Sequence, residues 1–221
     1  MLLKPTEVSS LFPRGHVGKR REGSRGLTFR TAVRGDTALL REILQECVER
    51  GEDSIVDERN PVNGRTILHE ACAFGHIDMV KMLLKEFTAD VSKKTFMGKT
   101  TALHIAASLG HRKICFYLLS SGADVHAKDK YGATPLHNVT RVDVAKTMIQ
   151  YGALCNVRDK NGKSPVVVVL GREGDHSKLI HYLEKAGEDQ ERAEFESNME
   201  KLHEEKLQRK FLEEEKKRVG Q

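Results

Sequence analysis

The sequence predicts an all-α repeat solenoid, a stack of helix-turn-helix units with β-hairpin loops between them, closed by a charged C-terminal helix. Three observations carry this prediction. The tetrapeptides Thr66-Ile67-Leu68-His69, Thr101-Ala102-Leu103-His104, Thr134-Pro135-Leu136-His137 and Ser164-Pro165-Val166-Val167 recur at offsets of 35, 33 and 30 residues, the period of a repeat architecture. A glycine stands two or three residues ahead of each, at Gly64, Gly98, Gly132 and Gly162. Each repeat then carries two short apolar-periodic runs, so a single unit has two apolar faces and buries them only by stacking on its neighbours.

Thr or Ser opens the first helix of each unit, because its side-chain oxygen accepts an orphan backbone N–H of the first turn. Pro135 and Pro165 follow at the first helical position, where the missing donor costs nothing. Ala71, Ala73, Ala106 and Ala107 permit close helix approach, and Gly75-His76 and Gly110-His111 end the first helix. The second helices are read at Val80 to Leu84, Ile114 to Leu119 and Val144 to Ile149. Thr31 to Asp36 and Leu39 to Leu44 form a degenerate first unit, giving about five units over residues 29–187. The unit at Thr134 is three residues short before Gly152, so its first helix or loop loses most of a turn. Val166 to Leu170 alone reads as a buried strand, but its place in the repeat makes it a helix.

The flanks differ in charge. Residues 1–28 hold six Lys/Arg against two Glu, while residues 188–221 hold eight Lys/Arg against eleven Asp/Glu. The first segment lacks apolar periodicity and is expected to be a basic disordered arm. The second contains favourable Glu-to-Lys/Arg pairs four residues apart, and is expected to be a charged helix whose Phe195, Met199 and Leu202 cover the open end of the last unit. Coiled-coil character is limited to that short stripe.

Several chemistries are excluded. Gly98-Lys99-Thr100-Thr101 and Asn161-Gly162-Lys163-Ser164 mimic the end of a phosphate-binding loop, but Lys93 and Val157 stand where the upstream glycine is needed. Cys47, Cys72, Cys115 and Cys155 form no CxxC pair, so neither a zinc site nor a dithiol centre is expected, and the thiols should be reduced. Cys72 beside His69 has no orienting third group and is read as packing. No metal, cofactor or catalytic residue is expected, and no apolar stretch is long enough for a leader or a membrane span.

The repeated motif resembles that of the ankyrin-repeat family, Gly-x-Thr-Pro-Leu-His-x-Ala-Ala, then Gly-His, then Leu-Leu-x-x-Gly-Ala-Asp, most closely over residues 98–124. The resemblance covers about 29–187. It implies that Thr66 with His69, Thr101 with His104 and Thr134 with His137 are structural, each histidine bonding a neighbouring unit's hairpin backbone. It also implies a non-enzymatic chain that binds proteins on the concave surface of hairpin tips and first helices. On the tips, Lys93, Lys94, Lys99, Lys128, Lys130, Arg158, Lys160 and Lys163, with Arg59 and Arg65, face only Asp57, Glu58, Asp129 and Asp159. Such an edge suits an acidic protein segment, and Phe96, Met97 and Tyr131 are the expected anchors. Phe74 and Leu109 are candidates for the same face.

The expected function is an adaptor, scaffold or structural subunit of a larger assembly, monomeric alone and cytoplasmic, with cytoskeletal or ciliary assemblies included and the nucleus compatible. The alternative is regulatory association with nucleic acid through Lys19, Arg20, Arg21 and Arg25; a short basic run without aromatics argues little for it.

Overall fold

The computed structural model describes residues 17–51 and 55–219. The chain runs α1 (Val17–Arg34), α2 (Thr37–Glu49), α3 (Ile67–Ala73), α4 (Ile77–Lys85), α5 (Ala102–Ser108), α6 (Arg112–Ser120), a 3₁₀ turn η1 (Pro135–Asn138), α7 (Val142–Gln150), α8 (Pro165–Leu170) and α9 (Ser177–Val219). Successive first helices, α1, α3, α5, η1 and α8, pack side by side in one layer, and α2, α4, α6, α7 and α9 form the other. One continuous core lies between them, with Leu40, Ile43, Leu44, Leu68, Met79, Leu83, Leu103, Ile114, Leu118, Leu136 and Met148 sealed from solvent. Burying each large aliphatic side chain stabilises the stack by about 2 kcal/mol. The tips between units are turns; no strand forms among the described residues, so the expected β-hairpins reduce to one or two backbone bonds across each turn.

The basic segment expected to be disordered over 1–28 is helical from Val17 onward; its residues 1–16 lie outside the described ones. The C-terminal part of α1 is held by Leu27, Phe29 and Ala32 against the core and by buried Thr28 and Thr31. Two threonines make this face look polar in sequence. The Thr31 hydroxyl lies 3.0 Å from Leu27 O and 2.8 Å from Thr28 O, so burial leaves it with a partner. The boundary at residue 28 therefore falls inside a helix.

The shortened fourth unit replaces its first helix by the single turn of η1, and Val139 turns extended. Carbonyls that a longer helix would have satisfied are met from the next unit: Arg172 donates to His137 O at 2.7 Å and also to Val139 O. Burial holds the Arg172 guanidinium below its ordinary pKa. Pro165 and Ser164 set α8 as a helix, and Val169 is fully buried while Val167 is exposed. The five consecutive apolar residues thus wrap the whole helix, with Val169 in the core and Val167 and Leu170 in solvent.

The boundary expected at residue 187 also lies within a helix, since α9 is continuous over 43 residues. Leu179 and Leu183 are buried, with Ile180, Tyr182 and Ala186 packed beside them. Gln190 accepts from Cys155 N at 2.9 Å and donates to Ala153 O at 2.8 Å. These residues cover the last unit. Phe195, Met199 and Leu202, expected to do so, are instead exposed at 66%, 51% and 44%. About the first four turns of α9, as far as Gln190, reach the stack before the stripe begins, so the stripe lies beyond the surface that needs covering.

Candidate protein-binding edge

Each Thr-His pair fixes a tip to the unit that follows it. In the second unit His69 Nδ1 accepts from Thr66 N at 3.2 Å and lies 2.8 Å from Thr66 Oγ1. An Nδ1 that accepts from a backbone amide carries no proton, so Nε2 bears the hydrogen and donates to Thr100 O at 3.3 Å. His104 and His137 repeat the arrangement, with Nε2 3.1 Å from Ala133 O and 3.1 Å from Lys163 O. These histidines are neutral struts. Burial pushes the His69 pKa down to about 4 and lowers those of His104 and His137. The same burial raises the Cys72 thiol well above its ordinary value, the reverse of an activated nucleophile, and lifts Cys115 to about 12.

The tips are also bonded to one another. Phe96 N donates to Asn63 O at 3.3 Å, Lys130 N to Gly98 O at 2.8 Å and Lys160 N to Tyr131 O at 2.9 Å. Asp129 and Asp159 turn the last two tips, each accepting two backbone amides of its own turn. The edge is therefore built from backbone bonds running from unit to unit.

On this edge the expected anchors stand out in solvent, Phe96 at 51%, Met97 at 75% and Tyr131 at 57% exposed. The Phe96 ring rests on the Gly64 backbone, where a Cβ would lie 2.4 Å from both its ring and its amide nitrogen, and Gly64 has φ +70°. The equivalent place two residues before Thr101 is Lys99, also with positive φ at 50°. Arg59 sits 5.5 Å above the Phe96 ring and Lys130 Nζ 5.3 Å above that of Tyr131, cation-π contacts that hold both rings in place. Phe74 and Leu109, at the C-terminal caps of α3 and α5, are half exposed.

The bases divide into two groups. Lys94 Nζ donates to Lys128 O at 3.0 Å, Lys160 Nζ to Lys130 O at 2.9 Å and Arg158 to Gly162 O at 2.8 Å, while Lys93 pairs with Asp90 at 3.6 Å. These four brace the tips. Lys99, Lys128, Lys130 and Lys163 are exposed along the same edge. Sequence reasoning missed Val62, which is 83% exposed on the second tip. Only the structure shows its place: Asn60 closes onto Arg65 as Thr95 closes onto Thr100, so Val62 and Met97 hold the same place in their turns. The side chains of Lys19, Arg20, Arg21 and Arg25 lie outside the described ones, as do those of the far end of α9. Among the described residues no group of three metal-binding side chains occurs, and no helix is long and apolar enough to cross a membrane.

Residues 29–129 match the family described as Ankyrin repeats (3 copies). The chain is similar to a protein of Saccharomyces cerevisiae named Probable 26S proteasome regulatory subunit p28, with 30% identity over 66% of this chain and 65% of the relative. Diacylglycerol kinase zeta of Rattus norvegicus is 32% identical over 47% of this chain but only 12% of its own length. Ankyrin repeat and SOCS box protein 3 of Bos taurus is 34% identical over 43% of this chain and 18% of the relative. The chain thus spans less than two thirds of the length of each. The struts Thr66–His69 and Thr101–His104 lie within the matched residues, and Thr134–His137 lies just beyond them. Residues 29–129 are thus a set of ankyrin repeats, and the described residues form an all-helical solenoid.

Proposed function

We propose that the chain is an adaptor or structural subunit, without catalytic activity, that holds an acidic segment of a partner protein along its tips and the adjoining face of the first helices. The observation that carries this reading is the exposure of Phe96, Met97 and Tyr131 on a hydrogen-bonded edge rimmed by Lys99, Lys128, Lys130 and Lys163. Large apolar side chains held rigidly in water are the anchors of interfaces. The rim of positive charge steers acidic partners toward them. The stack is monomeric by itself and works in the cytoplasm, in an assembly of the cytoskeletal or ciliary kind that gives its projecting helix α9 something to lie against.

The test is affinity capture from cells with the intact chain and with Phe96→Ala, Met97→Ser and Tyr131→Ala combined, the variant first shown to keep its helical circular dichroism and melting temperature. Partners that disappear from the variant's capture support the edge as the working surface. Identical sets from the two chains would overturn it.

A further inference from the structure

Gln190 is the last residue of α9 bonded to the stack, and every residue from 191 to 206 is exposed. A helix that only spans solvent is polar on all sides. Between those residues α9 departs from this, with Phe195, Met199 and Leu202 at 66%, 51% and 44% exposure. At 3.6 residues per turn the three fall within about 60° of one another and run for about 10.5 Å along the helix. The remaining positions from 191 to 206 hold no large apolar residue. The apolar side chains are therefore segregated on a face that the stack does not reach, in the i, i+4, i+7 spacing by which helices pair.

The form of this face selects its occupant. The interior backbone of a helix has already paired its N–H and C=O groups, so an extended peptide laid along it finds no backbone partner. A second helix satisfies its own backbone and seats its apolar side chains between Phe195, Met199 and Leu202. Charge narrows the choice. Glu191 and Glu205 flank the stripe on one side with Asn198, Glu196 flanks it on the other with Arg192 and His203, and Glu188 and Lys206 stand at its ends. Residues 188–206 together hold eight Asp/Glu against three Lys/Arg. A second copy of the chain is a poor match: paired in parallel it sets Glu191 against Glu196, and paired antiparallel with Phe195 on Met199 it sets Glu191 against Glu205.

We infer that the exposed stripe of α9 docks a cationic amphipathic helix of a partner protein, its apolar residues seated on Phe195, Met199 and Leu202 and its Lys or Arg side chains beside Glu191, Glu196 and Glu205. This site is separate from the tips, whose cationic border repels such a helix. The molecule thereby offers two surfaces of opposite sign, a basic edge on the stack and an acidic face on the helix that leaves it.

The test uses the full chain and two fluorescein-labelled helical peptides of about three heptads, both with Leu at a and d, one with Lys and the other with Glu at e and g. Fluorescence anisotropy is expected to show the Lys peptide bound at least about tenfold more tightly than the Glu peptide. Phe195→Ala, Met199→Ala and Leu202→Ala combined should weaken it by at least about tenfold, and Glu191→Lys, Glu196→Lys and Glu205→Lys combined should turn the preference to the Glu peptide. All these positions are exposed beyond the stack, and an unchanged melting temperature confirms that the variants fold. The variant with Phe96→Ala, Met97→Ser and Tyr131→Ala should bind the Lys peptide as the intact chain does, so a failure at the tips and a failure on α9 are told apart. Equal affinity for the two peptides, no binding of either, or binding indifferent to Phe195, Met199 and Leu202 overturns the inference. A dimer of the chain in analytical ultracentrifugation that dissociates on Phe195→Ala overturns it too, because the occupant is then a second copy.

Discussion

His69 is buried, neutral and hydrogen-bonded at both ring nitrogens, and its protonation is the most direct chemical handle on the fold. Its pKa is lowered in the folded chain to about 4 from an ordinary value of 6.5. Between those values the unfolded chain binds the proton and the folded chain does not, so stability is greatest above pH 6.5 and falls as the pH drops toward 4. A shift of that size corresponds to about 3 kcal/mol from His69, and His104 and His137 act in the same direction. Urea unfolding at pH 7.5 and pH 5 is expected to show about 2 kcal/mol of this loss from His69, the rest falling between pH 5 and pH 4, and replacing His69 by Gln should flatten the dependence. At the tips, Gly64→Ala should destabilise by more than about 1 kcal/mol, because the residue has φ +70° and its new Cβ would collide with Phe96. Lys99→Gly should do the opposite by up to about 1 kcal/mol, since it relieves a left-handed lysine. Chemical denaturation measures both.

At the scale of elements, the fourth unit depends on a group from the fifth. Arg172 supplies hydrogen bonds to His137 O and Val139 O that the missing helical turn leaves open. Arg172→Met is expected to cost about 2 kcal/mol, the worth of charge-assisted bonds to backbone, and to speed amide exchange around η1 while α3 and α5 stay protected. Helix α9 divides its work along its length. Leu183→Ala should cost about 3 kcal/mol, as for other fully buried leucines, whereas truncation after Arg192 should leave the melting temperature unchanged. The sequence showed the repeats, their phase and the short unit because Thr, Gly and His carry backbone duties at fixed places. It hid the packing face of α1, where Thr28 and Thr31 fill core positions, and the true cover of the last unit, where Leu179 and Leu183 act instead of the more conspicuous Phe195 and Met199. Arg172 could not be found from spacing, since its partners are carbonyls that any residue provides.

At the scale of the whole molecule, the stack is a rigid holder whose tips carry exposed anchors. Phe96, Met97 and Tyr131 were legible as exposed because glycine-marked turns place them there. Val62 was not, because a valine beside a proline says nothing until the closing bonds align the turns. Lys94 and Lys160 turned out to brace the backbones of neighbouring tips, a duty that a count of charge does not reveal. What remains on the edge is a set of exposed apolar side chains in a cationic border, and this edge is the central claim.

Hydroxyl-radical footprinting of the chain, alone and within its native assembly, tests that claim most directly. Met97 and Tyr131 oxidise readily when exposed, and Phe116, nearly half exposed on the opposite helix layer, serves as the internal reference. The account predicts that Met97, Phe96 and Tyr131 become protected in the assembly while Phe116 does not. Equal oxidation of Met97 and Tyr131 in the two states, with protection appearing on the Phe116 face, would contradict it.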